Sequence, residues 1–405
     1  MKTKVLIIGG GIPGLTLAGL LGSIGISCLV VEKSCPPAPQ DIEHSTKTAA
    51  LMQTSVTIIK NLGIWDDIAP YATPLKIMRL VDDSEKNREP VTIDFPACDI
   101  GLDAFGYNIP NMRLQDVILK SLSGHPCINI LHEKSLQNFT VTNHHVSAQL
   151  DDGQEIISSL IVGADGRSSR TRGIAGIQIR EHDCQQAAIT CLISHTKTHH
   201  NISTEHHHSG GPFTLVPMAG DNSSVVWIDS CDNIQKLLTL PKDIFLSKLQ
   251  ERTHNALGKV SLASTPQSWP LKTLIANRLI AARTVIVAEA AHVMSPIAAQ
   301  GLNLSMRDIA TLAETIADAA RLGQDIGAEQ VLKKYQARRQ IDMTTRTYGV
   351  DGLNRIVSNN LGFLKKLRKS ALKTLETMPA LKNCVMHQGL APHFDEGRLM
   401  AGERL

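Results

Sequence analysis

The chain has 405 residues, more than one ordinary hydrophobic core requires, so we expect two lobes. Forty-one Lys and Arg residues against 38 Asp and Glu residues give a formal net charge of +3, and the aromatic residues are three Trp, four Tyr and seven Phe. This balanced charge and low aromatic content argue against a nucleic-acid-binding protein. The eight cysteines form no C-x-x-C pair, which favours reduced thiols in a cytoplasmic protein over disulfides or a zinc site.

The N-terminal segment is uncharged from residue 5 to residue 31. That length could cross a membrane, but glycines and a proline divide it into a strand (Lys4–Ile8), a helix (Gly14–Gly22) and a second strand (Ile26–Val31). The pattern therefore predicts a βαβ unit rather than a signal sequence or a membrane span. No other part of the sequence competes as a membrane span.

A glycine motif lies between the first strand and the helix. Gly9, Gly11 and Gly14 fit G-x-G-x-x-G, which lets backbone amides approach a pyrophosphate at the helix N-terminus. Glu32 follows the second strand, where a carboxylate can accept hydrogen bonds from ribose hydroxyls. We interpret the unit as a dinucleotide site rather than only a tight strand–helix turn, and the acid favours FAD or NAD over NADP.

The middle of the chain alternates between helical and strand-like patterns. A helix is predicted from about Thr48 to Leu62, and another from Asn111 to Leu122. Residues 75–107 are strand-like, and residues 185–275 are rich in strand patterns without a helical period before about Asp243. These two stretches are expected to form a separate, sheet-based lobe.

A second motif follows the buried strand Leu160–Val162. Asp165, Gly166, Ser169 and Arg172 occupy the fixed places of a D-G-x-x-S-x-x-R pattern. An Asp-Gly turn with a helix cap is the simpler alternative, because such turns are common. The extended match favours a functional loop over that alternative.

The third motif spans residues 285–308 and is the most informative. Its β-branched start, Val285–Val287, predicts a buried strand, and the carboxylate of Glu289 follows it. The next turn contains Pro296 and His292, an imidazole that could relay protons or serve only the structure. An acid after a strand can accept hydrogen bonds from the hydroxyls of a cofactor.

A long helix completes this motif. Gln300-Gly301 opens it, and the helical pattern runs from about Leu302 to about Thr347 with a break near 323–327. The N-terminus of a helix favours negative charge. The segment therefore predicts one side of a site for an anionic cofactor.

Together the three motifs resemble those of class A FAD-dependent aromatic monooxygenases. A narrower resemblance, to the ubiquinone-biosynthesis hydroxylases, rests on residues 62–66, 105–111, 205–217 and 224–227. It implies an α/β fold like that of para-hydroxybenzoate hydroxylase: a Rossmann-like FAD-binding domain, a β-sheet substrate lobe and C-terminal helices. The implied boundaries are 1–74, 108–184 and 276–350 for the FAD-binding domain, 75–107 and 185–275 for the substrate lobe, and 351–405 for a helical tail.

The resemblance also implies contacts with FAD. Gly9, Gly11, Gly14 and Glu32 would hold its adenosine and pyrophosphate. The other implied contacts are Lys47, Asn111, Arg113, Asp165, Gly166, Glu289, Pro296, Gln300, Gly301, Leu302 and Asn303. Asn111 and Arg113 are alternatives for one contact, because their spacing does not separate them, and residues 300–303 would lie beside the isoalloxazine ring. No catalytic side chain is assigned.

The sequence departs from the family pattern at several positions. Lys47 stands where the family commonly has Arg, which keeps the charge but loses the bidentate geometry of a guanidinium. Ala288 and Ala299 (or Ala298, depending on the alignment gap) stand where the family has Gly. Glu289 replaces Asp and can still accept hydrogen bonds from ribityl hydroxyls, although its extra methylene must be accommodated.

The implied reaction is hydroxylation of an aromatic ring. A second dinucleotide motif is missing from the sequence, so NAD(P)H is expected to dock transiently and O2 to supply the oxygen atom. The implied substrate is a polyprenylated phenol, a precursor of ubiquinone. Two alternatives stay open: a non-catalytic flavoprotein or scaffold in a quinone-biosynthesis assembly, and a hydroxylase of a small soluble aromatic compound.

Two polar segments have weaker interpretations. For the histidines at 199, 200, 206, 207 and 208 we expect a solvated loop rather than a metal site, because they lack helical i, i+4 spacing. The C-terminal segment interleaves apolar residues with Lys365, Lys366, Arg368, Lys369 and Lys373. It could lie on the inner membrane surface or on a partner, and an ordinary surface helix is the alternative.

Overall fold

The structure is a computed structural model that describes residues 1–43, 45–83, 90–208, 210–358, 370, 372, 374, 375, 377–390 and 397–405. Its strands are β1 (Lys2–Ile8), β2 (Cys28–Val31), β3 (Thr48–Met52), β4 (Thr73–Pro74), β5 (Ile77–Asp82), β6 (Val91–Pro96), β7 (Gly106–Pro110), β8 (Ile128–Leu131), β9 (Leu136–Val141), β10 (Val146–Leu150), β11 (Glu155–Gly163), β12 (Ile179–His195), β13 (Ile202–His208), β14 (Gly211–Met218), β15 (Asn222–Ser230), β16 (Val260–Leu262), β17 (Gln267–Ala276), β18 (Ile280–Ala281), β19 (Thr284–Ile286) and β20 (His292–Val293).

The helices are α1 (Ile12–Gly22), α2 (Pro39–Glu43), α3 (Gln53–Asn61), α4 (Trp65–Ile68), α5 (Asn111–Leu122), α6 (Arg170–Ile174), α7 (Cys231–Leu238), α8 (Lys242–Arg252), α9 (Gln300–Arg321), α10 (Glu329–Ser358), α11 (Pro379–Leu390) and α12 (Arg398–Ala401). The described residues also contain 3₁₀ turns at Ala69–Tyr71, Ala97–Ile100, Ala288–Ala290 and Ile297–Ala299. No helix within these parts of the chain is long and apolar enough to cross a membrane. All eight cysteines lie within them and are free thiols.

The first sheet contains the predicted βαβ unit. Its central order is β18-β19-β11-β1-β2-β8, and the contacts from β19 through β8 are parallel. Strand β1 is buried at all four residues from Val5 to Ile8, and β2 along its whole length. Such continuous apolar runs are typical of parallel strands covered on both faces. The α/β fold class is thereby confirmed.

The second sheet is mainly antiparallel. Its order is β20-β17-β12-β15-β14-β13-β5-β6, with one parallel pair between β13 and β5. One face packs Ile189, Phe213 and Trp227 against α7 and α8. We predicted no helix before about residue 243, and α7 shows that this was wrong. The hydroxyl of Ser230 caps α7 by accepting a hydrogen bond from the backbone N–H of Asn233 (3.3 Å), a signal visible in the sequence.

A small third sheet corrects a second expectation. Residues 48–62 were predicted as one helix, but the first five form β3, which pairs antiparallel with β7. The backbone N–H of Met52 then donates to Oδ1 of Asn303 (2.8 Å), so a side chain distant in sequence holds the strand-to-helix transition. The helix proper, α3, begins only at Gln53. Tertiary pairing outweighed local helical propensity here.

The C-terminal helices agree with the predicted break. Helix α9 ends at Arg321 and α10 begins at Glu329, on either side of the expected 323–327 interruption. Helix α9 begins at Gln300 rather than Leu302, and α10 extends to Ser358 rather than Thr347. The basic positions 365, 366, 368, 369 and 373 lie outside the described residues. The domain boundaries stated above stay predictions.

Candidate functional site

The glycine loop joins β1 to α1 and packs tightly against the second motif. Gly9 has φ of +111°, and a Cβ there would lie 2.2 Å from the carbonyl oxygen of Ala164. A Cβ at Gly14 would lie 2.0 Å from the carbonyl oxygen of Gly9. Gly11, the N-cap of α1, has its nearest neighbour on that side at 3.9 Å, in Pro13. The first and third glycines therefore close the turn, while Gly11 leaves room above the helix end.

The carboxylate of Glu32 braces the same loop. Its Oε2 accepts a hydrogen bond from the backbone N–H of Gly10 (2.6 Å), and its Oε1 accepts one from Ser34 (2.9 Å). Each carboxylate oxygen can accept more than one hydrogen bond. The geometry is compatible with the expected ribose contact, which stays a prediction.

The second motif is held together by its own acid. Oδ1 of Asp165 accepts from the hydroxyl of Ser169 (2.5 Å). Oδ2 accepts from the backbone N–H and the hydroxyl of Thr171, both at 3.0 Å. Arg172 donates to the carbonyl oxygen of Ala290 (2.9 Å), which links this motif to the third. Asp165 thus shapes the loop, and Gly166 is the member of the pair that lines the cavity described below.

The third motif places Glu289 at the surface of the site. Its side chain is 56 % exposed, and its Oε2 lies 4.0 Å from Nε of Arg167. The preceding Ala288 has φ of +56° and donates its backbone N–H to Oδ2 of Asp308 (3.1 Å). His292 is buried and bonded through Nε2 to that same Oδ2 (2.7 Å). His292 also lines the cavity described below, so the structural and the proton-relay interpretations both stay predictions.

The N-terminus of α9 borders the site. Ala299 caps it with φ of +52°. Gln300, Gly301 and Leu302 line the cavity, as does Pro296 in the preceding turn. A Cβ added at Gly301 would have no described atom within 4 Å. The positive end of a 22-residue helix therefore meets open space, as an anionic ligand requires.

The side chain of Asn303 has a structural role instead. Its Oδ1 accepts from Met52 (2.8 Å) and from the hydroxyl of Ser55 (2.7 Å). Its Nδ2 donates to the carbonyl oxygens of Ala50 (2.8 Å) and Ala299 (2.7 Å). With these bonds, the amide ties the start of α9 to β3 and α3, and Asn303 is not among the residues that line the cavity.

The structure separates the alternatives at α5. Asn111 lines the cavity, and its buried Oδ1 finds no partner among the described residues. The guanidinium of Arg113 lies over the ring of Tyr71, with Cζ 5.0 Å from the ring centre, and does not line the cavity. Of the two, Asn111 is the one that borders the cavity, and its contact with the cofactor stays a prediction.

Lys47 lines the cavity on another side. Its Nζ lies 3.7 Å from the centre of the Trp269 ring in β17. Burial lowers the pKa of this amino group, while the carboxylate of Glu289 partly offsets the effect. Lys47 therefore brings positive charge to the space between the two large sheets.

One cavity of about 1170 Å³ joins these features to the second sheet. The sheet wall contributes Ser203, Glu205 and His207 from β13, Thr214 and Val216 from β14, and Val226 from β15. Apolar side chains dominate the space beyond them, including Met78, Leu80, Phe95 and Phe105. A single cavity thus places the three motifs and an apolar region side by side.

The solvated-loop expectation for the histidines was wrong for three of the five. Residues 206–208 belong to β13, and His206 and His207 are 3 % and 4 % exposed. His207 faces the cavity, whereas His206 lies near His208 and His254. Burial lowers the pKa of His206 to about 3, with His254 adding to the effect. Within the described residues, no group of three or more His, Cys, Asp and Glu side chains could hold a metal ion.

Comparison with known proteins identifies the family. Residues 2–345 match the FAD binding domain family. The chain is 33 % identical to ubiquinone hydroxylase UbiL of Rhodospirillum rubrum, over 95 % of this chain and 89 % of the relative. The chain belongs to the FAD-dependent ubiquinone-biosynthesis hydroxylase family. A further relative is the 3-demethoxyubiquinol 3-hydroxylase of Escherichia coli, 28 % identical over 96 % of this chain and 98 % of the relative.

Solved structures share the fold of this hydroxylase. The p-nitrophenol 4-monooxygenase PnpA of Pseudomonas putida superimposes with a TM-score of 0.80 at 16 % identity, covering 97 % of this chain and 99 % of that one. HpxO of Klebsiella pneumoniae, solved with FAD, superimposes with a TM-score of 0.75 at 18 % identity, covering 96 % and 98 %. The predicted fold, monooxygenase class and cofactor are confirmed.

The residues of the hydroxylase fit FAD. The N-terminus of α1 borders the cavity through Ile12 and Pro13, and that of α9 through Gln300 and Gly301. Gly9, Gly11, Gly14 and Glu32 are not among the lining residues, but Gly11 directly precedes Ile12 and leaves space beside it. The unpaired Oδ1 of Asn111 supplies a buried acceptor at the same place. The contacts of individual residues with the cofactor stay predictions.

Proposed function

We propose that this enzyme hydroxylates the aromatic ring of a polyprenylated phenol, a ubiquinone precursor, with NAD(P)H and O2 as co-substrates. The net reaction adds one oxygen atom of O2 to a ring carbon and releases the other as water, with two electrons from NAD(P)H. The observation that carries the proposal is the shared cavity, in which the dinucleotide motifs lie beside a large apolar region. The names of the relatives, a ubiquinone hydroxylase and a 3-demethoxyubiquinol 3-hydroxylase, support the substrate class.

The side chains divide into two groups by position. Gly9, Gly11, Gly14 and Glu32 would hold the adenosine and pyrophosphate of FAD. Lys47, Asn111, Gly166, Glu289, Pro296 and residues 300–302 line the space for the rest of the cofactor or border it. When bound, FAD accepts the electrons of NAD(P)H and provides the site at which O2 is activated. The protein orients the ring and excludes water from the reaction.

The apolar half of the cavity suits a long hydrocarbon substituent. Met78, Leu80, Phe95 and Phe105 offer the surface for it, and Leu353 and Val385 reach the cavity from α10 and α11. Both of these last side chains are exposed, so they mark an opening to solvent. A prenyl chain can therefore extend from the ring site toward α10 and α11.

The first experiment measures whether the purified protein carries flavin and accepts electrons. We expect the visible absorbance of oxidised flavin, bleached on anaerobic addition of NADH or NADPH; the faster of the two identifies the reductant. A protein without flavin absorbance that captures quinone-pathway proteins would instead support the scaffold alternative. Equal turnover of phenols with and without a prenyl chain would support the small-aromatic alternative.

We further propose that the enzyme is cytoplasmic, contacts the inner membrane peripherally and belongs to a quinone-biosynthesis complex. Exposed apolar side chains concentrate on α10 and α11, including Tyr348, Leu353, Leu381 and Val385. Two of them lie at the cavity opening, where a lipid-borne substrate would enter. Apolar residues at a lipid interface contribute binding in proportion to the area they bury.

Vesicle sedimentation tests this contact. The double variant Leu381→Glu/Val385→Glu should reduce the fraction bound to anionic vesicles several-fold, because two charges replace apolar contacts. The control is Ile244→Glu, since Ile244 is an equally exposed apolar residue on α8, away from the opening. Equal vesicle binding by the double variant and the control would contradict the membrane contact.

A further inference from the structure

One wall of the cavity carries a paired acid and imidazole that the cofactor motifs do not explain. Ser203, Glu205 and His207 alternate along β13, so their side chains share the face that lines the cavity. Strand β13 is held on both sides, with Glu205 opposite Leu80 of β5 and Thr214 of β14. The pair therefore stands on a rigid sheet.

The contact between the two side chains defines their roles. Nε2 of His207 lies 2.9 Å from Oε1 of Glu205. Because an ionised carboxylate can only accept, Nε2 carries the hydrogen and donates it. Nδ1 of His207 is buried and has no partner within the described parts of the chain. The imidazole thus holds the carboxylate from one side, and among the described residues this is its one side-chain hydrogen bond.

The surroundings of this carboxylate are largely apolar. The Glu205 side chain is only 13 % exposed and that of His207 only 5 %, and Leu80, Val216 and Val226 line the same wall. The nearby Arg79 also lines the cavity, but its guanidinium binds both oxygens of Asp94, each at 2.7 Å. A buried acid among apolar side chains is destabilising unless its acceptor sites are used. A polar group of a ligand in the cavity can donate a further hydrogen bond to this carboxylate.

We propose that Glu205 accepts a hydrogen bond from the ring hydroxyl of the substrate, with His207 as the residue that positions it. The proposal rests on the proposed function, because it assigns the polar end of the same phenolic substrate. Glu205 then selects a neutral ring that carries a hydroxyl. It disfavours a methyl ether, which cannot donate, and an aromatic carboxylate, which it repels.

Equilibrium dialysis of the flavin-loaded protein measures this selectivity without turnover. The probes are a prenylated phenol, its O-methyl ether and the corresponding prenylated benzoate. We expect the wild-type protein to bind the phenol about tenfold or more tightly than the ether, the range of a hydrogen bond to a charged acceptor. Glu205→Met removes the acceptor at similar size and should bring that ratio close to one, while strengthening benzoate binding.

Variants of His207 test the positioning role. His207→Gln keeps a donor for the carboxylate and should preserve the phenol preference, whereas His207→Leu should lose most of it. In turnover assays, His207→Leu should raise the KM of the phenol more than it lowers kcat. Glu251→Gln, an exposed acid on α8, is the control and should match the wild type.

The outcomes separate this inference from the function on which it rests. If the wild-type protein binds the phenol and Glu205→Met keeps the full preference over the ether, the role of Glu205 is refuted and the function stands. If the flavin-loaded wild-type protein binds none of the prenylated phenols, the proposed function fails, and the inference fails with it. Flavin content and the thermal unfolding midpoint of each variant confirm that it is folded.

Discussion

At the scale of single residues, Ala288 and Ala299 hold left-handed backbone conformations beside the cavity. Their φ angles are +56° and +52°. A Cβ makes this conformation about 1–2 kcal/mol less favourable than it is for glycine. Ala288 follows β19 and Ala299 caps α9, so both turns that carry the third motif are strained. The family pattern has glycine in place of Ala288 and of Ala299 or Ala298, depending on the alignment gap.

Replacing Ala288 by glycine should therefore stabilise the protein. Relief of the strain exceeds the entropy cost of a glycine, and we expect a net gain of about 0.5–1 kcal/mol in the free energy of unfolding. Urea unfolding measures it. The control, Ala290→Gly, changes a buried alanine of the same turn without a positive φ and should destabilise the protein. A similar loss of unfolding free energy in both variants would show that the backbone at Ala288 is not strained.

The predicted contact between Glu289 and FAD can be tested directly by substitution. The carboxylate is exposed at the cavity and lies near Arg167 and Lys47. If it accepts hydrogen bonds from the hydroxyls of FAD, Glu289→Ala should raise the Kd of FAD about tenfold, the size of one hydrogen bond to a charged group. Fluorescence titration of flavin-free protein measures the Kd, and Glu251→Ala, remote from the cavity, is the control. An unchanged Kd removes Glu289 from the site.

At the scale of elements, a buried charge network fixes the third motif to the C-terminal helices. Asp308 of α9 accepts from His292 (2.7 Å) and from Nε of Arg339 in α10 (2.8 Å). Arg339 also binds Asp342 (2.7 Å), and Arg346 connects that acid to Gln300 (2.7 Å) at the cavity. Burial acts to raise the pKa of Asp308, but His292 and Arg339 outweigh it and hold the pKa below its ordinary value.

Removing the acid should be strongly destabilising. Asp308→Asn removes one of the two carboxylates that bind the buried guanidinium of Arg339 and leaves Asp342 as the other, so we expect a loss of about 1.5–3 kcal/mol in the free energy of unfolding. Asp318→Asn, an exposed acid on the same helix, should cost under about 1 kcal/mol. Denaturant unfolding compares the two variants. Equal losses would mean that the network contributes no more than a surface ion pair.

The network also predicts how stability depends on pH. The folded pKa of Asp308 is depressed, so its contribution is present above the unfolded value of about 3.9 and is lost as pH falls through the folded pKa. The wild-type protein should therefore lose stability as pH falls below about 4. Asp308→Asn should lose less over that interval, measured as unfolding midpoints against pH. If the unfolding midpoints of the wild-type protein and Asp308→Asn fall equally with pH, the loss of stability does not come from Asp308.

The helices and strands also show which sequence signals were sufficient to predict secondary structure. The βαβ unit and α5 were predictable because their apolar periods are strong and their contacts are local. Strand β3 was not, because its partner β7 lies more than fifty residues away. Strand β13 was missed because histidines dominate it, although Ser203, Glu205 and His207 already alternate in the sequence.

At the scale of the whole molecule, the cavity depends on packing that no motif encodes. The three motifs predict the part of the cavity that we propose holds FAD, because each motif follows a strand of the same parallel sheet. The facing wall comes from β13, β14 and β15, and Lys47 approaches Trp269 across the gap. Only the arrangement of the two sheets shows that Asn111 reaches the cavity while Arg113 does not.

The most direct test of the account is product formation by the flavin-loaded enzyme in air with NAD(P)H and a prenylated phenol. We predict that the phenol accelerates NAD(P)H oxidation and that the product is heavier by one oxygen atom, which derives from labelled O2. A protein that binds flavin and the phenol but oxidises NAD(P)H at the same rate without it, and forms no hydroxylated product, would contradict the assignment as a ring hydroxylase.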